Sequence, residues 1–208
     1  MTTRDELLLK MYDQMFNDIN RHIMVVWQSI GVLVGAFAIF ALVEKRVVSL
    51  DIAASIVLLL CAWLLAHLFD AAYWYNRNLV IIANIERQFL NHDDLKKIHY
   101  YFGKHRPRNK MIEHLRIQQA LGLGLSGLVI IYHFLDRVIP GFSAPLSSFD
   151  PVRAMPYALV IVAFFYLKRL WNHTREKYEE FLSNSPGIEI NTEGISYGVG
   201  HAHGKKKH

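Results

Sequence analysis

The chain has 208 residues, of which 52% are hydrophobic and 20% are charged, and its formal net charge is +5. The hydrophobic residues are gathered into runs longer than a core helix needs, which excludes an ordinary soluble domain and indicates a membrane protein. A single cysteine, Cys61, excludes an internal disulfide.

Residues 1–22 form the first predicted element, an amphipathic cytoplasmic helix. Their apolar side chains recur at spacings of three and four, and four acidic side chains stand among them. A secretory signal has a short basic start and a short apolar region, whereas this segment is long and acidic. We therefore interpret it as part of the mature protein, lying on or near the inner face of the membrane.

Residues 23–69 are predicted to form the first transmembrane hairpin. The run 23–43 contains no charged residue and would be about 31 Å long as a helix, which matches the hydrocarbon core of a bilayer. A short charged turn separates it from a second apolar run, 52–69.

Residues 117–171 are predicted to form the second transmembrane hairpin, with spans at 117–135 and 154–167. The fourth span is the shortest, at about 21 Å of helix. It crosses a bilayer only if the side chains of Lys168 and Arg169, which follow it, reach the membrane interface with their charged ends.

The positions of the lysines and arginines predict the orientation. The chain before residue 23, residues 70–116 and the chain from residue 168 onward hold 19 of the 23 basic residues. The positive-inside rule places these three segments, and both termini, in the cytoplasm. Residues 70–116 are thus a predicted cytoplasmic helical segment, and residues 172–208 a cytoplasmic helical stalk and tail. Contact with anionic lipid accounts for most of the basic excess, so we expect no nucleic-acid partner.

Both hairpins are predicted to continue as helices beyond the bilayer. No proline or glycine interrupts residues 70–91 or 168–182, where apolar residues keep helical spacing. These apolar stripes are too narrow to be stable alone, so the extensions must pack on each other, on the N-terminal helix or on other subunits. The predicted fold class is an all-α membrane protein with four transmembrane helices in two hairpins. Residues 188–199 fit either a C-terminal β-hairpin or a disordered tail.

Polar residues inside membrane spans are expensive and therefore candidates for function. The candidates are Gln28, Ser29, His67, Asp70 and His133. His67 and Asp70 are three residues apart on one helix, so they could bind a proton or set a helix contact. Because these positions lie near the interface, where water reaches, we favour structural roles. No span carries an acid or base at its centre, which argues against a proton-coupled transporter.

Glycines in two spans predict close helix packing. Gly31 and Gly35 form a GxxxG pattern in the first span, and Gly124 and Gly127 lie in the third. Small residues let helices approach closely in lipid. The pattern fits packing within one chain and packing between chains equally well.

A basic patch in the middle segment comprises Lys104, Arg106, Arg108 and Lys110, close to several tyrosines. It could bind a nucleotide or the end of a nucleic acid, but contact with lipid headgroups is the favoured interpretation. No nucleophile motif or zinc spacing is present. We therefore expect no enzymatic activity, no cofactor and no metal site.

The segment "NRNLVIIANIERQF", together with the preceding amphipathic helix and hairpin, resembles the SLATT class of small bacterial membrane domains. These are two-span effector domains associated with nucleotide signalling and defence. The pattern formed by Arg77, Asn78, Ile85, Glu86 and Phe89 is similar to that of RipA-type octameric membrane proteins. The resemblance covers residues 5–91, and the second hairpin departs from the two-span layout. It implies a homo-oligomer in the bacterial inner membrane that acts as a pore-forming or membrane-disrupting effector.

Three functions are consistent with the sequence. The leading one is a non-enzymatic oligomeric membrane protein, a channel or effector whose cytoplasmic helices receive a protein or nucleotide signal. The second is a membrane scaffold or partner-binding subunit without ion flux. The third, a lipid-modifying enzyme, would need a metal or nucleophile cluster at the inner face. Its only local candidate ligands are His92, His99, His105 and His114.

Overall fold

The computed structural model describes residues 2–97, 108–143, 145 and 150–185. Every regular element within these ranges is helical, and none of the described residues lies in a strand. The α-helices are α1 (Thr3–Glu44), α2 (Leu50–Phe89), α3 (His92–Lys97), α4 (Glu113–His133) and α5 (Met155–Ser183). A π-helical turn (Phe134–Val138) and a 3-10 helix (Ile139–Ser143) follow α4, and another 3-10 helix (Pro151–Ala154) precedes α5. The predicted C-terminal β-hairpin falls outside the described residues.

α1 is one continuous helix of 42 residues, so the N-terminal amphipathic segment is not a separate short helix, and its position at the membrane face stays a prediction. Its start is fixed by Thr2, whose hydroxyl accepts a hydrogen bond from the Asp5 amide while the Asp5 carboxylate accepts one from the Thr2 amide. No proline or glycine occurs before Gly31 to break it. The amphipathic stripe of residues 1–22 therefore runs directly into the apolar part of the same helix.

α2 is the central helix and contacts α1, α4 and α5. Its buried apolar residues recur at spacings of three and four and form the largest core cluster with residues from the neighbouring helices. The small side chains of Ala53, Ala54 and Ala72 and the thiol of Cys61 are fully buried. Because α2 is buried on several sides, it fixes the positions of α1, α4 and α5 relative to one another.

Three helical stretches of the described chain are long and apolar enough to cross a membrane: Leu50–Phe89, Glu113–Ser143 and Pro151–Ser183. The described part of α1 contributes a shorter apolar stretch, Leu33–Glu44. The 40 residues of α2 make about 60 Å of helix, roughly twice the thickness of a hydrocarbon core. α2 therefore extends well beyond any bilayer that it crosses, as its unbroken polar continuation predicts. The fourth span stays a prediction.

The extensions of the helices pack together at what we call the extended end. There the first half of α1 places Ile19 against Leu79 and Ile82 of α2. Tyr178 of α5 is fully buried beside Tyr73 and Val80 of α2. The N-terminal stripe and both extensions thus cover one another, which meets the packing requirement inferred from their narrow apolar faces.

Candidate functional site

A buried carboxylate marks the opposite end of α2. Ser49 caps this helix by accepting a hydrogen bond from the Ile52 amide, and Asp51 lies in its first turn. A helix N-terminus favours a negative charge. Asp51 is nevertheless only 2% exposed, so its charge needs partners from elsewhere in the chain.

The partners come from the end of α4 and from the π-helical turn that follows it. His133 is fully buried, and its Nε2 lies 2.9 Å from Asp51 Oδ1. Arg137 donates from Nη2 to Asp51 Oδ2 at 2.9 Å and from Nε to Oδ1 at 3.3 Å. Residues four apart on a helix lie on one face, so His133 and Arg137 reach the same carboxylate.

α5 completes the cluster with Tyr157. Its hydroxyl lies 3.0 Å from Nδ1 of His133, and the two rings meet edge to face with centroids 5.4 Å apart. We call Asp51, His133, Arg137 and Tyr157 the polar joint. It links α2, α4 with its π-helical turn, and α5 by direct hydrogen bonds, whereas the remaining packing between these helices is largely apolar.

The hydrogen-bond pattern of the polar joint suits a neutral imidazole. A carboxylate can only accept, so His133 Nε2 donates its proton to Asp51. Nδ1 then carries a lone pair that accepts the hydroxyl proton of Tyr157. One negative and one positive charge, on Asp51 and Arg137, neutralise each other, and each buried polar atom of the ring has a partner.

The sequence singled out His133 but missed its partners. The sequence pattern predicts a loop position before the second span for Asp51, gives Arg137 only as a loop charge, and carries no signal for Tyr157. The available signals were the Ser-x-Asp start of α2 and the spacing of four between His133 and Arg137. The His133 ring is fully buried.

The predicted pairing of His67 with Asp70 does not form. Asp70 is exposed, and no hydrogen bond or ion pair among the described residues joins it to His67. The His67 ring instead contacts Trp63 one turn earlier on α2, with centroids 4.4 Å apart. Gln28 and Ser29 lie within α1, but their side chains are outside the described part of the structure.

The four predicted packing glycines face away from the rest of the described chain. A Cβ atom added to Gly31, Gly35, Gly124 or Gly127 would meet nothing within 4 Å. The glycine at a close helix contact is Gly122, where an added Cβ would lie 3.4 Å from Leu64 and 3.6 Å from Leu65. Close packing within the chain therefore uses a glycine that the sequence pattern did not single out.

Of the basic patch, only Arg108 and Lys110 are described, and both are exposed; Lys104 and Arg106 fall outside the described residues. The segment that carries them is fixed by Asn76, which is fully buried on α2. Asn76 Nδ2 lies 2.8 Å from both Asn109 Oδ1 and the Lys110 carbonyl oxygen. This attachment leaves two basic side chains at the surface.

Ionisable groups at the extended end are shifted by burial. Tyr12 of α1 donates a hydrogen bond of 3.3 Å to Glu86 Oε1 of α2. Burial raises the pKa of Glu86, although this hydrogen bond acts in the opposite direction. Burial and the nearby Glu86 charge raise the pKa of Tyr12. Burial therefore favours the protonated carboxyl group of Glu86, whereas the hydrogen bond from Tyr12 favours the carboxylate.

An apolar groove of about 450 Å³ lies between α2, α4 and α5, with Trp63, Ser126 and Phe164 among its lining residues. Ser126 Oγ donates to the Gly122 carbonyl within its own helix. Among the described residues no three histidine, cysteine or acidic side chains come together as metal ligands. Comparisons of the chain with protein-family models, with curated proteins and with solved structures find no match.

Proposed function

We propose that this chain is a non-enzymatic, homo-oligomeric protein of the bacterial inner membrane, with four spans and both termini in the cytoplasm. In this proposal it acts as a channel, pore-type protein or membrane-disrupting effector. A protein or nucleotide signal reaches its cytoplasmic helices and changes the packing of the spans.

The observation that carries the proposal is the continuity of α2. A single helix joins the polar joint at Asp51 to the contact between Glu86 and Tyr12 at the extended end. α5 likewise runs from Tyr157 in the joint to Tyr178 in the extended end. Because helices transmit rigid displacements, movement of the extended end is expected to reach the polar joint, and the reverse.

The open glycine faces support assembly of several copies. Gly31 and Gly35 on α1, and Gly124 and Gly127 on α4, leave space beside their helices. Large apolar side chains stand exposed on the same two helices, among them Phe37 and Leu128. In lipid, small residues allow neighbouring helices to approach closely, so these faces suit contacts between subunits.

The first test is the number of subunits in lipid. The protein is reconstituted into nanodiscs and imaged as single particles, and we expect a ring or other closed oligomer. Replacing both Gly31 and Gly35 by leucine should reduce the fraction of oligomer while the single chain stays folded, because a Cβ at either position would meet nothing within 4 Å among the described residues. A wild-type protein that is monomeric in mild detergent and in lipid contradicts the proposal.

The second test addresses topology and transport. Protease or tag access should place residue 105 and the end of the chain on the same side of the membrane. Liposomes that contain the oligomer should release an entrapped ion or dye. Liposomes that contain a control chain, in which the order of the spans is changed, should not. Access from opposite sides would remove the shared cytoplasmic compartment that the mechanism needs.

A scaffold function is the alternative, and the exposed pair Arg108 and Lys110 favours it. Asn76 fixes their backbone to α2, which presents a defined basic surface beside the helical extensions. A scaffold should form the same oligomer without ion flux. It should lose a cytoplasmic partner when residues 92–116 are replaced by a neutral linker, whereas a channel should keep its conductance in that variant.

A further inference from the structure

We propose that His133 makes the polar joint responsive to protons, so that uptake of a proton by its ring opens the contact between α2, α4 and α5. The proposal rests on the proposed function in one respect, since it assigns this joint the packing change that the channel or effector would use. The opening itself is a property of the single chain.

The closed joint is complete only with a neutral ring. Nε2 donates to Asp51 at 2.9 Å and Nδ1 accepts from Tyr157 at 3.0 Å. A protonated ring carries a hydrogen on both nitrogens. Tyr157 would then have to turn its hydroxyl proton away from Nδ1, where it has no acceptor within the joint.

The charge balance of the joint also opposes a second cation. The Asp51 carboxylate already binds Arg137 through two hydrogen bonds. A charged His133 would therefore be attracted by Asp51 and repelled by Arg137. The ring is fully buried. An extra charge in such a place carries a large desolvation cost that a neutral pair nearby does not offset.

The other charged groups around the joint are closer to solvent. Asp136 lies on the π-helical turn and is exposed, and Asp150 and Arg153 lie on the segment before α5 and are partly exposed. The two acidic groups act on Arg137, and Asp150 pairs weakly with Arg153 at 3.8 Å. Solvent screens these charges more strongly than the buried pair, so they do not supply a counter-ion for a charged ring.

The test is a distance measurement across the joint. Spin labels are attached to cysteines introduced by Val47→Cys and Phe142→Cys, two positions that are 68% and 74% exposed, in a Cys61→Ala background. The labelled full chain is studied in nanodiscs between about pH 8 and pH 5, the range over which a histidine changes charge. We expect a longer or broader distance population to grow on acidification, by up to about tenfold per pH unit for one proton.

Two variants connect the response to the joint. His133→Gln can keep the neutral hydrogen bonds but cannot gain a charge, so its distances should not change with pH. Tyr157→Phe keeps the aromatic ring at position 157 and removes the hydroxyl that donates to His133 Nδ1. Part of the open population should therefore be present already at about pH 8. His173→Gln, at an exposed position on α5, is the control and should respond as the wild type does.

The proposal is overturned if the wild-type distances stay constant or shorten on acidification, or if His133→Gln keeps the wild-type response. It is also overturned if Tyr157→Phe matches the wild type at every pH. A pH-dependent distance together with liposomes that never release their contents supports the joint and contradicts the channel. Release of liposome contents without a pH-dependent distance supports the channel and contradicts the proton response of the joint.

Discussion

At one end of α2, Asp51 is bound by His133 and Arg137, whereas at the other end Ile82 and Tyr178 are buried among aliphatic and aromatic side chains. The polar joint depends on a particular arrangement of charges and protons. The extended end depends mainly on shape and on the removal of apolar surface from water. One helix is thus held by a buried ion pair at one end and mainly by apolar packing at the other.

The largest effect is expected from emptying the core of the extended end. Tyr178→Ala removes a fully buried ring and should lower the free energy of unfolding by roughly 3–5 kcal/mol, measured by chemical unfolding in detergent micelles. Tyr166→Ala, at an exposed position on the same helix, should have little effect. Equal losses in the two variants would show that the extended end is not packed as described.

The next effect comes from the polar joint. Asp51→Asn should lower the free energy of unfolding by about 3 kcal/mol, the low end for a broken buried pair. The loss stays near that lower limit because Arg137 is 32% exposed and can turn towards water. Asp136→Asn, at an exposed acid beside it, is the matched control and should be nearly neutral. A variant as stable as the control would show that the joint contributes no stability.

Between the two ends of α2, a substitution at Gly122 tests the packing within the chain, and a substitution at Gly124 tests the packing between chains. Gly122→Leu should cost roughly 1–3 kcal/mol of unfolding free energy, because its side chain would enter the space of Leu64 and Leu65. Gly124→Leu, on the open face of the same helix, should leave the unfolding of the single chain unchanged and alter only the oligomer fraction in lipid. If Gly124→Leu destabilised the single chain and Gly122→Leu did not, the close helix contact would lie on the face of α4 that carries Gly124.

The smallest effect concerns Glu86, the half-buried acid of the extended end. Because burial raises its pKa in the folded state above the usual 4.5, its contribution to stability is fully present below about pH 4.5. That contribution is lost as the pH rises through the raised pKa. Glu86→Gln should therefore flatten the pH dependence of unfolding above about pH 4.5 and make the protein slightly more stable at pH values where the wild-type carboxyl group is ionised. Glu179→Gln, at an exposed position on α5, should leave the wild-type slope in place.

Local patterns predicted the helices better than the contacts. The absence of helix breakers after Phe69 and Leu167 predicted that α2 and α5 continue beyond their apolar parts, and both do. The absence of proline and glycine before residue 31 likewise indicates one continuous α1. The composition shift near residue 22 suggested a boundary there, but a change from polar to apolar residues does not break a helix.

The candidate site was predictable only in part, because its members are far apart in the chain. His67 and Asp70 are neighbours in sequence and form no pair, whereas Asp51 and His133 are 82 residues apart and form one. The glycine patterns likewise marked the open faces of α1 and α4 and not the contact at Gly122.

The sequence by itself determined the helical class and the long apolar runs, because periodicity, helix breakers and hydropathy are local properties. It also determined where the basic residues collect along the chain. Only the tertiary structure decided which polar residues meet, because a buried charge selects its partners by position in space. The union of Asp51, His133, Arg137 and Tyr157 required three separate helical segments to be brought into register at the same end of α2.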